Sequence, residues 1–201
     1  LQGGATGQFA SVPMNLTSPS DTIDFVDTGA WSKKAIKEAG KYCHVNVAAS
    51  SSDSNYDHIP SAGSWRLSDD ATLLHVCSNE TIGGVQFKEF PKHKTLVADM
   101  SSDLLSRPVN IDDFGLIYAG AQKNIGPAGL TVIIVRKDLC GNARSITPTF
   151  LDYAVQADAD SMSNTPPTYA WYLAGLVFKW VKVNGGLAGM AAQNQAKADL
   201  L

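Results

Sequence analysis

The sequence contains 201 residues, of which 44% are hydrophobic and 17% are charged, and its formal net charge is −3. This size and composition predict a single ordinary globular domain with one sizeable hydrophobic core. They argue against a nucleic-acid-binding protein, whose surface is usually basic, and no apolar run approaches the roughly 20 residues of a membrane-spanning helix.

Short apolar runs alternate with amphipathic stretches, which is typical of an α/β domain with a largely parallel sheet. The predicted strands are residues 22–26, 44–49, 73–77, 95–98, 115–118 and 130–135. The last run is apolar and β-branched throughout, so we expect it to be covered on both faces. Residues 50–68 are rich in Ser and Asp and predict a surface loop.

Three helices are predicted beyond the first glycine-rich turn. One covers residues 31–41, where apolar residues repeat on one face. A second begins at the Thr-Pro-Pro of residues 165–167, because proline is tolerated in a first turn, and ends at the Asn-Gly-Gly of residues 184–186. Its buried stripe is predicted to consist of Leu173, Leu176, Val177 and Trp180. The third runs from about Leu187 to the end of the chain.

The first turn contains Gly3, Gly4 and Gly7 and leads into the apolar residues 9–16. A glycine-rich turn that opens a helix directs backbone N–H groups and the positive end of the helix dipole towards an anion, so it favours a phosphate. A plain turn is the alternative. The spacing fits neither a P-loop nor a dinucleotide fingerprint, although Asp24 and Asp27 lie about where a ribose-binding acid would be.

Polar clusters follow three of the predicted strands, at residues 79–81, 99–102 and 119–124. Singly, each can be a helix cap or a solvated loop. Together they bring Thr81, Asp99 and Lys123 to one edge of the sheet, where the sites of parallel sheets gather. Lys123 is flanked by small residues and not by a run of charges, which makes it a better nucleophile candidate than a surface lysine. Partial burial helps to lower the pKa of such an amine.

Other residues allow both structural and functional interpretations. Trp31 begins a predicted helix and is either a core residue or a plate that stacks on a flat aromatic cofactor. His75 lies in an apolar strand near Cys77, and we interpret it as a core histidine with satisfied hydrogen bonds. Without an HExxH or CxxC pattern no metal site is predicted, and without a Gly-x-Ser-x-Gly elbow no hydrolase nucleophile is predicted.

The three cysteines, Cys43, Cys77 and Cys140, are widely spaced and do not form the pattern of a disulfide framework. This favours a reducing, cytoplasmic location. No charged-then-apolar leader is present, so no signal peptide is predicted. The glycine-rich start and the helical pattern at the last residues lead us to expect that both ends are cut.

Six segments resemble the phosphoserine aminotransferases. They are GGATGQFASVPMNL, GAWSKKAIKEAGKY, CSNETIGGVQF, ADMSSDLLSRP, IYAGAQKNIGPAGLTVIIVRKDL and NTPPTYAWYLAGLVFKW, and they extend from residue 3 to about residue 186. YAGAQKN followed by GPAGLT and then NTPPT is a highly specific combination. The resemblance implies the large domain of a fold-type I pyridoxal-phosphate transferase, with a mostly parallel mixed sheet between helices, and a homodimer with shared active sites.

The resemblance implies a role for four residues at the cofactor ring. Lys123 would form the Schiff base with pyridoxal 5'-phosphate and later carry a proton, and Asp99 would pair with the pyridine nitrogen. Trp31 would stack on the ring, and Thr81 would hydrogen-bond the phenolic oxygen of the ring. Lys123 and Asp99 are therefore the predicted catalytic residues.

Five further residues are implied at the cofactor phosphate. Ala5, Thr6 and Gln122 would hold it within one subunit, and Asn164 and Thr165 would reach the phosphate of the neighbouring subunit's cofactor. Many family members have a glycine and a cationic residue where this sequence has Ala5 and Thr6. Backbone N–H contacts would survive that difference, but the contribution of a cation would be lost.

The implied reaction is the reversible transfer of the glutamate amino group to 3-phosphohydroxypyruvate, which gives O-phosphoserine and 2-oxoglutarate in serine biosynthesis. A related keto acid serves pyridoxine synthesis in some bacteria. The amino-terminal arm and the smaller carboxyl-terminal domain of the family, which carry the basic residues that bind substrate, are absent from the sequence. We therefore expect this chain to keep the cofactor site, to lack most of the substrate site, and not to turn over phosphoserine alone.

Three alternatives stay open at this point. The first is a different fold-type I aminotransferase, because residues that bind the cofactor do not determine the substrate. The second is a nucleotide-binding domain that uses the glycine-rich turn and Asp27. The third is a non-catalytic fragment that binds cofactor or dimerises.

Overall fold

The computed structural model describes residues 1–200, and they form one α/β unit. The helices are α1 (Gly4–Leu16), α2 (Ala30–Ala39), α3 (Tyr153–Asp158), α4 (Thr168–Val183) and α5 (Gly186–Ala198). The strands are β1 (Thr22–Asp27), β2 (His44–Ser50), β3 (Leu73–Cys77), β4 (Asn79–Glu80), β5 (Val85–Gln86), β6 (Leu96–Asp99), β7 (Leu116–Gly120) and β8 (Thr131–Val135). All six predicted strands are present, with bounds that differ by at most two residues. None of the helices within the described residues is long and apolar enough to span a membrane.

Six strands form one sheet in the order β2-β1-β3-β6-β7-β8. Each neighbouring pair is parallel except β7 and β8, which are antiparallel. The chain forms β2 on one side of β1 and then crosses to form β3 on the other side, so the direction of winding reverses between β1 and β3. Open α/β sheets bind ligands at the carboxyl ends of their strands at such a reversal. The predicted fold class is confirmed, and the topology locates the edge where a site is expected.

Alternating side chains of the strands enter two hydrophobic cores, one on each face of the sheet. On one face, Phe9 and Val12 of α1 pack with Phe25 and Tyr118 of the sheet. The opposite core contains the alternate strand residues and is covered by the irregular segments that follow β2, β5 and β6. The central strands β3 and β6 are buried on both faces. Their polar carboxyl ends are therefore held by rigid elements.

The prediction that residues 130–135 are covered on both faces is wrong. They form β8, which is the edge strand of the sheet, and the side chain of Ile134 is 38% exposed. A run of apolar β-branched residues indicates a strand, but it does not distinguish a central strand from an edge strand whose outer face is open.

The predicted buried stripe of α4 is wrong in part. Leu176 and Trp180 are exposed, whereas Ala170 and Ala174 are buried. Alanine side chains allow a close approach to the loop after β7, where Gly126 lies beside Ala174. The helix packs through this small-residue face, and its bulky residues Tyr172, Leu176 and Trp180 are exposed.

The sequence did not predict α3 or the short β4–β5 hairpin. Helix α3 has six residues, which is less than two turns and too short for a periodic apolar pattern. Its start is defined by Asp152, whose carboxylate accepts hydrogen bonds from the N–H groups of Ala154 and Val155.

Candidate active site

A cavity of about 220 Å³ lies at the carboxyl ends of β3 and β6 and beside the amino termini of α1 and α2. Its lining consists of Gly4, Ala5, Thr6, Trp31, Cys77, Asn79, Asp99, Ser101, Ser102, Gln122 and Lys123. Six of the nine predicted site residues are in this lining, namely Ala5, Thr6, Trp31, Asp99, Gln122 and Lys123. The structure therefore brings these strand-end residues together around one cavity. Larger cavities lie elsewhere and have mainly apolar linings without this combination of charged and polar groups.

Lys123 lies on the tight loop that joins β7 to β8. Ala121 and Ile125, two positions before and after it, are buried. The Ala121 N–H donates to the carbonyl of Leu130 at 2.9 Å. Asn124 Nδ2 donates to the carbonyl of Leu104 at 2.7 Å. Because the loop turns its apolar residues inward, the residues between them point outward. Lys123 is therefore exposed in this structure.

Thr81 joins Lys123 to Trp31. The Lys123 Nζ donates to Thr81 Oγ1 at 2.5 Å, and the Trp31 Nε1 donates to the same oxygen at 3.1 Å. The Lys123 ammonium lies 4.9 Å from the centroid of the Trp31 ring. Trp31 is half-buried and belongs to none of the hydrophobic cores. Its position at the cavity favours the stacking-plate interpretation over the core interpretation.

Glu80, which the sequence analysis did not include in the site, positions Trp31. Its buried carboxylate accepts hydrogen bonds from the backbone N–H groups of Trp31 at 2.9 Å and Ser32 at 2.8 Å. A carboxylate here satisfies free N–H groups and interacts favourably with the helix dipole of α2. A Cβ at Gly29 would lie 2.7 Å from Glu80 Cδ, so the glycine makes room for this cap. Sequence patterns for helix caps do not predict this role of Glu80, because it lies 48 residues from Ser32 in the sequence.

Replacing Glu80 with alanine is expected to lower the free energy of unfolding by about 2–3 kcal/mol, because two buried N–H groups lose a charged acceptor. Urea unfolding measures the change. Glu38→Ala is the matched control, since Glu38 forms a surface ion pair with Lys41, and we expect a loss of about 0–1 kcal/mol. Equal losses in the two variants would show that Glu80 does not anchor α2.

Asp99 ends β6 and is only 5% exposed. Its Oδ1 accepts hydrogen bonds from the Ser101 N–H at 2.9 Å and from Ser101 Oγ at 2.6 Å. Both bonds use the same oxygen, which leaves Oδ2 for a group in the cavity. Burial raises the pKa of Asp99 to about 6, while hydrogen bonds from Ser101 and the charge of Lys123 oppose this rise. A desolvated carboxylate with an acceptor to spare fits a cationic nitrogen.

The amino terminus of α1 faces the same cavity. Gly3 adopts the left-handed conformation with φ of 92°, and no side chain caps the helix. The first N–H groups of the helix therefore have no intrahelical acceptor. A Cβ on Gly120 would lie 2.5 Å from Gln122 Oε1 and 3.2 Å from the Ala5 nitrogen, so glycine permits β7 to approach the helix start. Free N–H groups in a narrow cradle fit a phosphate.

Asn164 and Thr165 are not in the cavity lining. Both are exposed in the segment that precedes α4. The Thr165 carbonyl accepts a hydrogen bond from Gln2 Nε2 at 3.0 Å, and Asn164 Oδ1 accepts one from Gln156 Nε2 at 3.3 Å. The structure thus separates these two predicted residues from the other seven.

Asp24 and Asp27, considered above for a ribose, are engaged inside the fold. Asp24 accepts hydrogen bonds from the backbone N–H and the hydroxyl of Ser68, and Asp27 accepts from Ser50 Oγ and the Tyr56 hydroxyl. Neither is in the cavity lining. This geometry disfavours the nucleotide-binding alternative.

Comparison with known proteins places these features in a family. The aminotransferase class-V family matches residues 1–201. The phosphoserine aminotransferase of Hahella chejuensis is 60% identical over 203 residues, which is 100% of this chain and 56% of that protein. The solved phosphoserine aminotransferase of Bacillus circulans subsp. alkalophilus is 48% identical with a TM-score of 0.96, over 100% of this chain and 56% of that one.

A second solved structure, described as PLP-bound phosphoserine aminotransferase from Trichomonas vaginalis, is 40% identical with a TM-score of 0.93. The match covers 99% of this chain and 57% of that one. The chain therefore spans about half the length of the relatives that it matches.

Proposed function

Because the chain belongs to the aminotransferase class-V family, we propose that it is the cofactor-binding part of a phosphoserine aminotransferase. The whole protein would transfer the amino group of glutamate to 3-phosphohydroxypyruvate with pyridoxal 5'-phosphate as cofactor. The observation that carries the proposal is the convergence of Lys123, Trp31 and Asp99 at one strand-end cavity beside the free N–H groups of α1. Thr81 hydrogen-bonds both Lys123 and Trp31. The 60% identity to a curated relative supports the substrate class.

The residues present fit the cofactor, which when bound supplies an electron sink for the substrate carbanion. Lys123 would attach it covalently, and its Nζ would then carry the proton that moves to and from the substrate Cα. Thr81 holds this nitrogen in front of the Trp31 ring in the structure, so the proton carrier is already directed towards the stacking plate. Asp99 would hold a proton on the ring nitrogen.

The phosphate would be held by neutral donors. The free N–H groups of Ala5 and Thr6 at the start of α1, together with the Gln122 amide, surround the narrow gap at Gly120. These groups act through the helix dipole and hydrogen bonds, without the cation that many family members have in this turn.

Borohydride reduction of the loaded full-length protein tests this function. Reduction is expected to remove the visible absorption band of the bound cofactor, and peptide mapping should find one pyridoxyl adduct on Lys123. Lys34 is an internal comparison, because its ammonium lies 4.4 Å from the centroid of the same Trp31 ring but outside the cavity lining. An adduct on Lys34 or on any other lysine would refute the assignment.

We also propose that Asn164 and Thr165 serve the phosphate site of a second subunit in a homodimer. Their exposure and their absence from their own cavity lining support this arrangement. Refolding a mixture of full-length Lys123→Ala with Asn164→Ala/Thr165→Ala should then restore activity in part. One site of each mixed dimer receives both intact partners, and the other receives both defects.

The control for this complementation is the sum of the two variants refolded separately. A mixture no more active than that sum would show that Asn164 and Thr165 act within one subunit, as a helix cap in front of α4.

A further inference from the structure

His75 is a buried titratable residue to which the proposed function gives no role. It lies in β3, and burial lowers the pKa of the imidazole to about 3, so the ring is neutral at physiological pH. Its Nε2 lies 2.8 Å from the hydroxyl of Tyr118. Its Nδ1 has no hydrogen-bond partner among the described residues. The interpretation of His75 as a core histidine with satisfied hydrogen bonds is therefore only half correct.

Tyr118 contacts His75 and is the neighbour of Asp99 in the sheet. In the parallel pair of β6 and β7, Tyr118 is the register partner of Asp99, so the two side chains project from the same face of the sheet. The imidazole and phenol ring centroids are 5.8 Å apart. Burial raises the pKa of Tyr118 well above its usual value, and the charge of Asp99 raises this pKa further. The phenol thus hydrogen-bonds the imidazole and lies on the face of the sheet from which the carboxylate projects.

The available donors and acceptors determine the direction of the hydrogen bonds among His75, Tyr118 and Asp99. An ionised carboxylate can only accept, and the Tyr118 hydroxyl has a single hydrogen to donate. If Tyr118 donates to Asp99, its oxygen is left to accept from His75. The neutral imidazole must then carry its hydrogen on Nε2. In this tautomer Nδ1 is an unpaired acceptor, which buried sites tolerate better than an unpaired N–H group.

We propose that His75 and Tyr118 are positioning residues that hold the Asp99 carboxylate ionised and oriented towards the cofactor nitrogen, through hydrogen bonds from His75 Nε2–H to Tyr118 and from Tyr118 O–H to Asp99. The inference rests on the proposed function, which gives Asp99 its cationic partner. Ser101 restrains the carboxylate through Oδ1, and the proposed hydrogen bond from Tyr118 would add a donor from the sheet. A donor to the ionised carboxylate favours that form over the protonated form, which burial favours.

The first test needs no cofactor. Nitrogen-15 NMR of the cofactor-free full-length protein should show His75 neutral at pH 7, with its hydrogen on Nε2. A hydrogen on Nδ1 would overturn the inference, because Tyr118 would then have to donate to His75 and could not donate to Asp99. That result would leave the proposed function untouched.

The second test uses Tyr118→Phe in the full-length protein loaded with nitrogen-15-labelled pyridoxal phosphate. Loss of the phenol donor should move the ring-nitrogen resonance towards the unprotonated form and lower kcat about tenfold, the effect of one hydrogen bond. Tyr153→Phe is the matched control. It also removes a buried hydroxyl, but this hydroxyl donates to Gln8 Oε1 at 2.7 Å and not to Asp99. The ring-nitrogen resonance should therefore stay in place.

Two His75 variants provide a third test, which remains available if Tyr118→Phe does not fold. His75→Gln retains an N–H donor and should keep the wild-type resonance, whereas His75→Leu should shift it. An unshifted resonance in both His75 variants, or in Tyr118→Phe, would overturn the inference, and so would equal shifts in Tyr118→Phe and Tyr153→Phe. Failure of the unmodified protein to bind the labelled cofactor would instead refute the proposed function, and the inference with it.

Discussion

Replacing Lys123 with alanine in the loaded full-length protein is expected to lower kcat by more than about 10⁴-fold. General acid–base catalysis alone contributes about 10²–10⁴-fold, and under the proposed function the variant would also lose the covalent attachment of the cofactor. Cofactor is expected to remain bound, although more weakly, because Trp31, Asp99 and the free N–H groups of α1 are unchanged. Steady-state kinetics and equilibrium dialysis of pyridoxal phosphate measure the two effects.

Lys34→Met is the control for this variant. Lys34 is exposed, and its ammonium lies 4.4 Å from the centroid of the Trp31 ring, which is close to the 4.9 Å of Lys123. It lies outside the cavity lining. The control should therefore keep kcat within about twofold, since an exposed cation–π contact contributes only about 0.5–1 kcal/mol. A comparable collapse in both variants would mean that charge near Trp31, and not the Lys123 amine, is required.

Much of the fold was predictable because its strands are short apolar runs bounded by polar residues. The location of the candidate site followed from the same pattern, since the carboxyl ends of parallel strands meet at one edge. Asp99 and Lys123, which are 24 positions apart, therefore line one cavity. The anion-binding character of the glycine-rich turn could also be predicted, because free N–H groups at a helix start follow from local chain geometry.

The remaining features depend on tertiary contacts that local patterns do not encode. Glu80 caps α2 from a distant hairpin, and His75 meets Tyr118 from a strand two places away in the sheet. The exposure of Lys123 depends on which neighbours in its loop turn inward. The outward face of α4 has the same apolar composition as a buried face, so composition could not distinguish them.

Replacing Asp99 with asparagine is expected to slow the loaded full-length protein while stabilising the cofactor-free form. The neutral amide cannot balance a protonated ring nitrogen, and loss of such an electrostatic partner lowers kcat by about 10²–10³-fold. In the cofactor-free protein, burial raises the pKa of Asp99 from 3.8 to about 6. The stability that this carboxyl contributes is present in full below pH 3.8 and is lost as the pH rises through 6.

Asparagine does not titrate, so the stability of Asp99→Asn relative to wild type should increase by about 1–2 kcal/mol between pH 5 and pH 8. Urea unfolding at the two pH values measures this difference. Asp24→Asn is the matched control, because Asp24 is equally buried but accepts hydrogen bonds from Asn46 and Ser68. The free energy of unfolding of Asp24→Asn should be about 1–3 kcal/mol lower than that of wild type at pH 8, since the amide N–H groups would face neighbours that are themselves donors. If Asp99→Asn were destabilised like Asp24→Asn, the Asp99 carboxylate would be a structural anchor and not a group held ready for a cation.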